Sequence, residues 1–522
     1  MPILHKPSLA PLVAAAIVLA ACDSPSESEA RECGGKVVAL AVGQAADLPS
    51  GEDCDLGTQA GAEYSLAYVD GRGIALAETG AEPYSPSSVQ YSVTVTDLLG
   101  GGARSAGASL QASPRAELVV PDWSVSAADG PRAFVGATGG NDGWTLGETI
   151  TITDPCPGGV ATCPQPPTRA ARVVRVYPSQ LVVAAVESEL GATLAPMLAV
   201  LDEAMPIVAA HALPLMKSVY TDGVPAVSSA AGGQMLVLLE GDNSGVAART
   251  FGRWEEDGSS TSWISIEPFP GQNAAWAASL VSHELTHAYQ LAYMARTRSP
   301  GKAVNAMGAA VWGVEGGANL VSYEVIRRAA GKPLAPNADF RTPGGGMLEQ
   351  FLAYRAQPGD GHLTQGYDAG AGFFRDLVIR RVRGGESENA AVREVSRGAV
   401  DGWFGLDPAG SRRTGLTARM RERIGGWEPK DALLTWALSH AGDDLTGNAT
   451  YQDHAWLRVW ASAEQDYGWF PEAVLQGGAG SVTGQTLFGS PGYFLLRDTG
   501  AGMSIRLGSS APGVQWRVLR IR

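Results

Sequence analysis

The chain has 522 residues, 45% of them hydrophobic, enough apolar material to bury several cores in about two to four domains. Its formal net charge is −14 and no basic block stands out, so nucleic acid is not expected as a partner. The acidity itself implies little beyond solubility.

The chain begins MPILHKPSLAPLVAAAIVLAAC. Lys6 supplies a basic start, an apolar run extends from about Leu9 to Ala21, and the run ends in small residues. A stretch this short reads as an export signal, not a membrane span. Leu19-Ala20-Ala21-Cys22 resembles a bacterial lipobox. That resemblance implies removal of residues 1–21, a lipid on the Cys22 sulfur, and anchoring to a bacterial membrane on its periplasmic or cell-surface side. No other run reaches the ~18–20 apolar residues of a spanning helix, so the mature protein is expected to meet the membrane through its lipid only. Residues 22–32 are polar, lack apolar periodicity and read as a flexible tether.

Residues 33–167 carry short runs, KVVALAV, AEYSLAYV, VQYSVTVTDLL, AELVV and ETITIT, separated by clusters of Gly, Pro, Asp and Ser. Alternation and branched side chains make these the strands of an N-terminal β-sandwich-like domain. Of the chain's five cysteines, Cys33, Cys54, Cys156 and Cys163 remain once Cys22 is assigned to lipid. An even remainder in an exported chain implies two disulfides. Proximity favours Cys33–Cys54 and Cys156–Cys163, with other pairings of the same four residues left open. None of the four falls in a C-x-x-C spacing, which argues against zinc at these cysteines.

Near residue 168 the texture changes. ARVVRVYPSQLVVAAV reads as two strands, and GATLAPMLAVLDEAMPIVAAHALPLM as a helix that Pro196 and Pro206 interrupt or kink. QMLVLLEGDN and STSWISIEPFP read as strands. From Asn273 to about Ala441 the chain is mostly helical, with helices expected at 273–296, about 306–330 and 367–383. This central domain spans 168–445. Residues 446–522 return to alternating runs, GYFLLRDT, GMSIRLGS and VQWRVLRIR, between glycine turns, and read as a small C-terminal β domain.

VSHELTHAYQ, residues 281–290, holds two of only seven histidines. It sits inside AAWAASLVSHELTHAYQLAYMAR, which has no proline or glycine and many helix formers. On a helix, His283 and His287 share a face about 5–6 Å apart at Cβ, so both imidazoles can approach one ion to about 2.0–2.1 Å. Glu284 projects about 100° away, too far round to ligate on the same axis but able to reach a water on the ion. Zinc needs a third ligand. A third histidine six residues after His287 is absent, since that position is Tyr293, and Gln290 stands where the accompanying glycine would be. The other solution is a glutamate on a following helix, and VWGVEGGANLVSYE provides Glu315.

Here the sequence resembles a family. Trp312-Gly313-Val314-Glu315-Gly316-Gly317-Ala318 resembles the W-x-x-E-G-x-A segment of gluzincin metallopeptidases, the class containing aminopeptidase N and, more distantly, thermolysin. The resemblance implies that His283, His287 and Glu315 bind one zinc ion, that Glu284 is the general base, and that the small residues after Glu315 let two helices pack closely. Tyr367-Asp368-Ala369-Gly370 resembles the Y-x-x-G start of a later helix in aminopeptidase-N-like members. This implies that the Tyr367 hydroxyl donates to the oxyanion formed during hydrolysis, with His362 the alternative donor. Asn319 falls where some members orient a zinc-bound histidine. STSWISIEP falls where the family places an edge strand that pairs with substrate backbone. No G-A-M-E-N-like segment for gripping a substrate N-terminus is present, so endopeptidase is the more open expectation.

The expected architecture is multidomain α+β: an N-terminal β-sandwich-like domain, a mainly helical zincin catalytic domain with a small sheet, and a small C-terminal β domain. The expected function is zinc-dependent hydrolysis of peptide bonds in exported or extracellular proteins or peptides. The alternative is a catalytically inactive surface lipoprotein whose β domains bind glycan or protein around a structural zinc site. Intact Glu284 and Tyr367 favour the enzyme, because a structural site needs neither. A third option, zinc-activated water directed at a bond other than a peptide, has nothing in the sequence to select it.

Overall fold

A computed structural model describes residues 33–34, 37–57, 59–70, 89–98, 134–136, 143–153, 168–221, 227–228, 233–241, 248–254, 260–268, 271–298, 311–331, 334, 363–403, 429–439, 474–476, 480–486, 491–510 and 513–521. The export signal, Cys22, Cys156, Cys163 and His362 lie outside the described residues.

In chain order the strands begin with β1 (Ala45–Leu48), β2 (Asp53–Asp55), β3 (Glu63–Asp70), β4 (Val89–Asp97), β5 (Phe134–Gly136), β6 (Thr149–Thr153), β7 (Thr168–Val176) and β8 (Leu181–Ala185). Helix α1 (Glu187–Tyr220) follows, then β9 (Val227–Ser228), β10 (Met235–Leu239), β11 (Ala248–Trp254) and β12 (Ser260–Ile266). Next come α2 (Ala274–Arg298), α3 (Val311–Ala329), α4 (Leu363–Arg383), α5 (Glu388–Trp403) and α6 (Pro429–Ser439). The chain closes with β13 (Val474–Gln476), β14 (Gly480–Thr486), β15 (Pro491–Arg497), β16 (Met503–Ser509) and β17 (Val514–Arg520).

The central sheet runs β11-β12-β10-β8-β7-β6-β5, with β9 beside β12. Strands β8, β10 and β12 are mutually parallel, and β11 pairs antiparallel with β12 at the sheet's edge among the described residues. β8 (LVVAA) and β10 (MLVLL) are continuous apolar runs buried at every position, as parallel strands covered on both faces require. Val183, Val237 and Ile264 share a core with the helices, while Val182, Leu236 and Trp263 face a second core with Trp144 and Ile152. Strand pleating divides the two sets, since successive side chains point to opposite faces.

The β8-to-β10 crossover is α1, long enough to return a parallel strand to the same edge. Its α-helical turns are interrupted by π-helical ones at Val208–Ala212 and Lys217–Thr221. Pro206 and Pro214 precede these turns, and each removes a backbone donor and crowds the carbonyl four residues earlier. By length and composition α1 also passes as a membrane-crossing segment, with a mean hydropathy of 1.5 over its most apolar window, a feature not expected from the sequence. Its buried residues Leu201, Met205, Val208, Met216 and Val219 belong to the main core.

Helix α2 packs on β11 and β12, α3 lies against α2 and α4, and α5 closes over α3 and α4. This helical layer on one face of the sheet holds the candidate site.

Strand pairing differs from two separate β domains at the chain's ends. One sheet runs β1-β17-β3-β15-β13 and a second β14-β4-β16-β2, so strands from residues 45–97 and 474–520 interleave in both. Between the sheets, Tyr68, Tyr91, Phe494 and Trp516 form an aromatic cluster at centroid separations of 4.7–6.0 Å. Leu66, Val93, Ile505 and Val518 belong to the same core. Cys33 and Cys54 form a disulfide, fully buried in it. β5 and β6, also placed in the N-terminal region by sequence, extend the central sheet instead: β6 pairs with β7, its sequence neighbour.

The sandwich is continuous with the helical layer. Ala67, Val69, Tyr493 and Leu519 join the main core alongside Trp436 of α6. Arg517 of β17 bonds Asp47 of β1 at 2.6 Å and Asp431 of α6 at 2.8 Å.

Candidate metal centre

Helix α2 starts at a capped end: the Asn273 side-chain oxygen accepts from the Trp276 N–H at 2.9 Å. Ala277, Val281, Leu285, Ala288 and Ala292 recur at helical spacing and bury one face in the main core. That register turns His283 and His287 toward α3. Their side chains are 13% and 6% exposed, and that of Glu315 on α3 is 12% exposed. The site is sheltered yet reachable.

Gly317 allows the close approach of the helices. A Cβ there would stand 3.2 Å from Gln290 Nε2 on α2 and 3.5 Å from Ala399 Cβ on α5. Gly316 and Ala318 beside it are also buried.

Three ligand atoms converge. Glu315 Oε2 lies 3.0 Å from His283 Nε2 and 2.9 Å from His287 Nε2, and the two nitrogens are 3.0 Å apart. The imidazole rings are nearly perpendicular, at 89°. Bonds of about 2.0–2.1 Å around a tetrahedral zinc give ligand–ligand separations of about 3.3 Å, so the triangle is close to zinc's size.

The outer nitrogens fix the tautomers. His283 Nδ1–H donates to Asn319 Oδ1 at 2.7 Å, and His287 Nδ1–H donates to Gln290 Oε1 at 3.0 Å. An amide oxygen only accepts, so each Nδ1 carries a proton, and each Nε2 faces the triangle, where it offers a lone pair once it carries no proton. Lone-pair atoms this close repel unless a cation lies among them. One proton satisfies a single pair of them, whereas a divalent ion satisfies all three, and the group can hold a metal.

The side chains' own charges lean the same way. Burial pushes the Glu315 carboxyl up, but the His287 charge and hydrogen bonds from both histidines outweigh it and hold the carboxyl down at about 2. Burial pushes His287 down, but the Glu315 charge and hydrogen bond, then the Glu284 charge and Gln290, raise it to about 9. Glu315 is therefore a permanent anion at neutral pH.

Glu284 is 6% exposed and does not join the triangle. Its Oε2 accepts from the Thr250 hydroxyl of β11 at 2.7 Å, and the same hydroxyl lies 2.7 Å from the Glu284 main-chain oxygen. Tyr367 and Trp312 lie on the α4 and α3 backbones, with their side chains outside the described set. β12, which carries STSWISI, is interior, and among the described residues the edge beside the site is β11.

Sequence reasoning missed Thr250 and the role of Gln290. Gln290 was within reach, because a residue three positions after His287 shares its helix face. Thr250 had no local signal, since strand packing alone delivers it. No family model matches the chain, and no curated protein matches it.

Proposed function

We propose that the protein is a zinc-dependent metallopeptidase of gluzincin type, exported and lipid-anchored to a bacterial membrane, with endopeptidase action on exported or extracellular proteins or peptides. The single observation carrying this reading is the 2.9–3.0 Å triangle of His283, His287 and Glu315, with Glu284 on the same helix and outside the triangle.

The two imidazoles and the Glu315 carboxylate would hold zinc, which would supply Lewis acidity and lower the pKa of water toward ~7. Glu284 takes the proton from the attacking water and delivers it to the leaving amine. Asn319 and Gln290 keep the rings turned with Nε2 inward. Tyr367 donates to the oxygen that gains charge.

Elemental analysis of the mature protein, paired with a peptide-library digest with and without chelator, tests the reading. Stoichiometric zinc and chelator-sensitive cleavage are expected, and Glu284→Gln is expected to keep zinc and lose cleavage. Full activity in Glu284→Gln, or zinc without any cleavage, sinks it; the latter outcome selects the inactive surface lipoprotein.

A further inference from the structure

The sheet edge beside the site makes an unusual contact with it. Thr250 is buried in the middle of β11, where it pairs with Ile264 of β12. Its hydroxyl is 2.7 Å from Glu284 Oε2 and 2.7 Å from the Glu284 main-chain oxygen. A glutamate side chain has three rotatable bonds, and its position on α2 does not by itself fix where the carboxylate points. The contact to β11 supplies that constraint.

We propose that Thr250 is a positioning residue for Glu284, anchoring the carboxylate of the general base from the edge strand of the central sheet. The proposal rests on the peptidase reading above. A threonine hydroxyl has one hydrogen and can also accept. While Glu284 is charged, that hydrogen goes to Oε2. Oε1 is left to take the proton from water and hand it to the leaving group, with the Thr250 hydrogen kept on Oε2. The same anchor thus holds Glu284 in both halves of the proton transfer, and the proton passed to the leaving group is the one taken from water.

The anchor also places the base against β11, the strand whose outer edge is unpaired by any other described strand. A general base must sit within hydrogen-bond reach of the proton it removes, and a misplacement of about 1 Å can cost on the order of 100-fold in rate.

The experiment compares Thr250→Val, which keeps the shape and removes the hydroxyl, with Thr250→Ser, which keeps the hydroxyl and removes the methyl. In Thr250→Val, kcat is expected to fall roughly 10- to 100-fold while KM and zinc content stay within about twofold of wild type. Thr250→Ser is expected to recover most of kcat. A second readout needs no turnover: thermal unfolding midpoints of the full-length protein as purified, for Thr250→Val, Glu284→Ala and the double variant. If the two side chains are bonded, the double variant loses less than the sum of the single losses.

A Thr250→Val kcat within twofold of wild type overturns the proposal, as does a Thr250→Ser no better than Thr250→Val, which would assign the effect to packing. Additive midpoints in an active enzyme remove the anchor and leave the peptidase reading standing. A wild-type protein that binds zinc and cleaves nothing removes the catalytic role together with that reading, even where the midpoints are non-additive.

Discussion

The Nδ1 atom of His283 lies 2.7 Å from Oδ1 of Asn319, one helical turn beyond Glu315 on α3. Helix α3 thereby supplies both a candidate ligand and the group that orients another ligand on α2. Removing such a partner costs metal affinity because the ring regains its freedom to rotate and to change tautomer. Asn319→Ala is expected to weaken zinc binding about 10- to 100-fold, measured by competition with a chromophoric chelator. Affinity unchanged in that variant would show that packing alone orients His283.

The charges of the triangle give a pH signature in protein stripped of metal. His287 is raised from 6.5 to about 9, so its contribution to stability is complete below 6.5 and is lost as the pH rises through about 9. Glu315 is lowered from 4.5 to about 2, so its contribution is complete above 4.5 and is lost as the pH falls through about 2. Stripped protein should therefore gain most from this pair between pH 4.5 and 6.5 and should lose stability toward pH 9. Zinc must displace the His287 proton, so binding near pH 7.5 should release about one proton. Titration calorimetry in buffers of different ionisation enthalpy measures it; heats independent of buffer would contradict the assignment.

Local patterns were legible in the sequence and non-local ones were not. The i, i+4 spacing of His283 and His287 on an uninterrupted helix needs only helix geometry, and α2 spans Ala274–Arg298 where residues 273–296 were expected. Cys33–Cys54 followed from proximity. The strand pairing of the sandwich did not, because β17 inserts between β1 and β3 across more than four hundred residues and alternation says nothing about partner choice. Each short run was equally good in a sheet with its sequence neighbours. The family resemblance implied an edge strand at β12, a plain buried strand was equally open, and the sequence gives no sign that β11 folds back antiparallel outside it. The interleaving also makes β1 to β4 integral to both sheets. Removing residues 33–97 would take β1 and β3 from one sheet and β2 and β4 from the other, exposing Phe494, Ile505 and Trp516.

Gly317 links helix packing to the metal centre. A Cβ at this position meets Gln290 Nε2 at 3.2 Å, and the same Gln290 holds His287 through its Oε1. In Gly317→Ala the helix gains up to about 1 kcal/mol of intrinsic propensity, which offsets part of the crowding, so the unfolding midpoint should move little. The displaced amide should nevertheless loosen His287 and lower zinc affinity. Gly317→Val adds two further methyl groups with no room toward Ala399 and should cost about 1–3 kcal/mol of stability as well. Chemical denaturation of both variants, alongside chelator competition, separates the two effects. An alanine variant with wild-type zinc affinity would show that Gln290 can shift without disturbing the imidazole it holds.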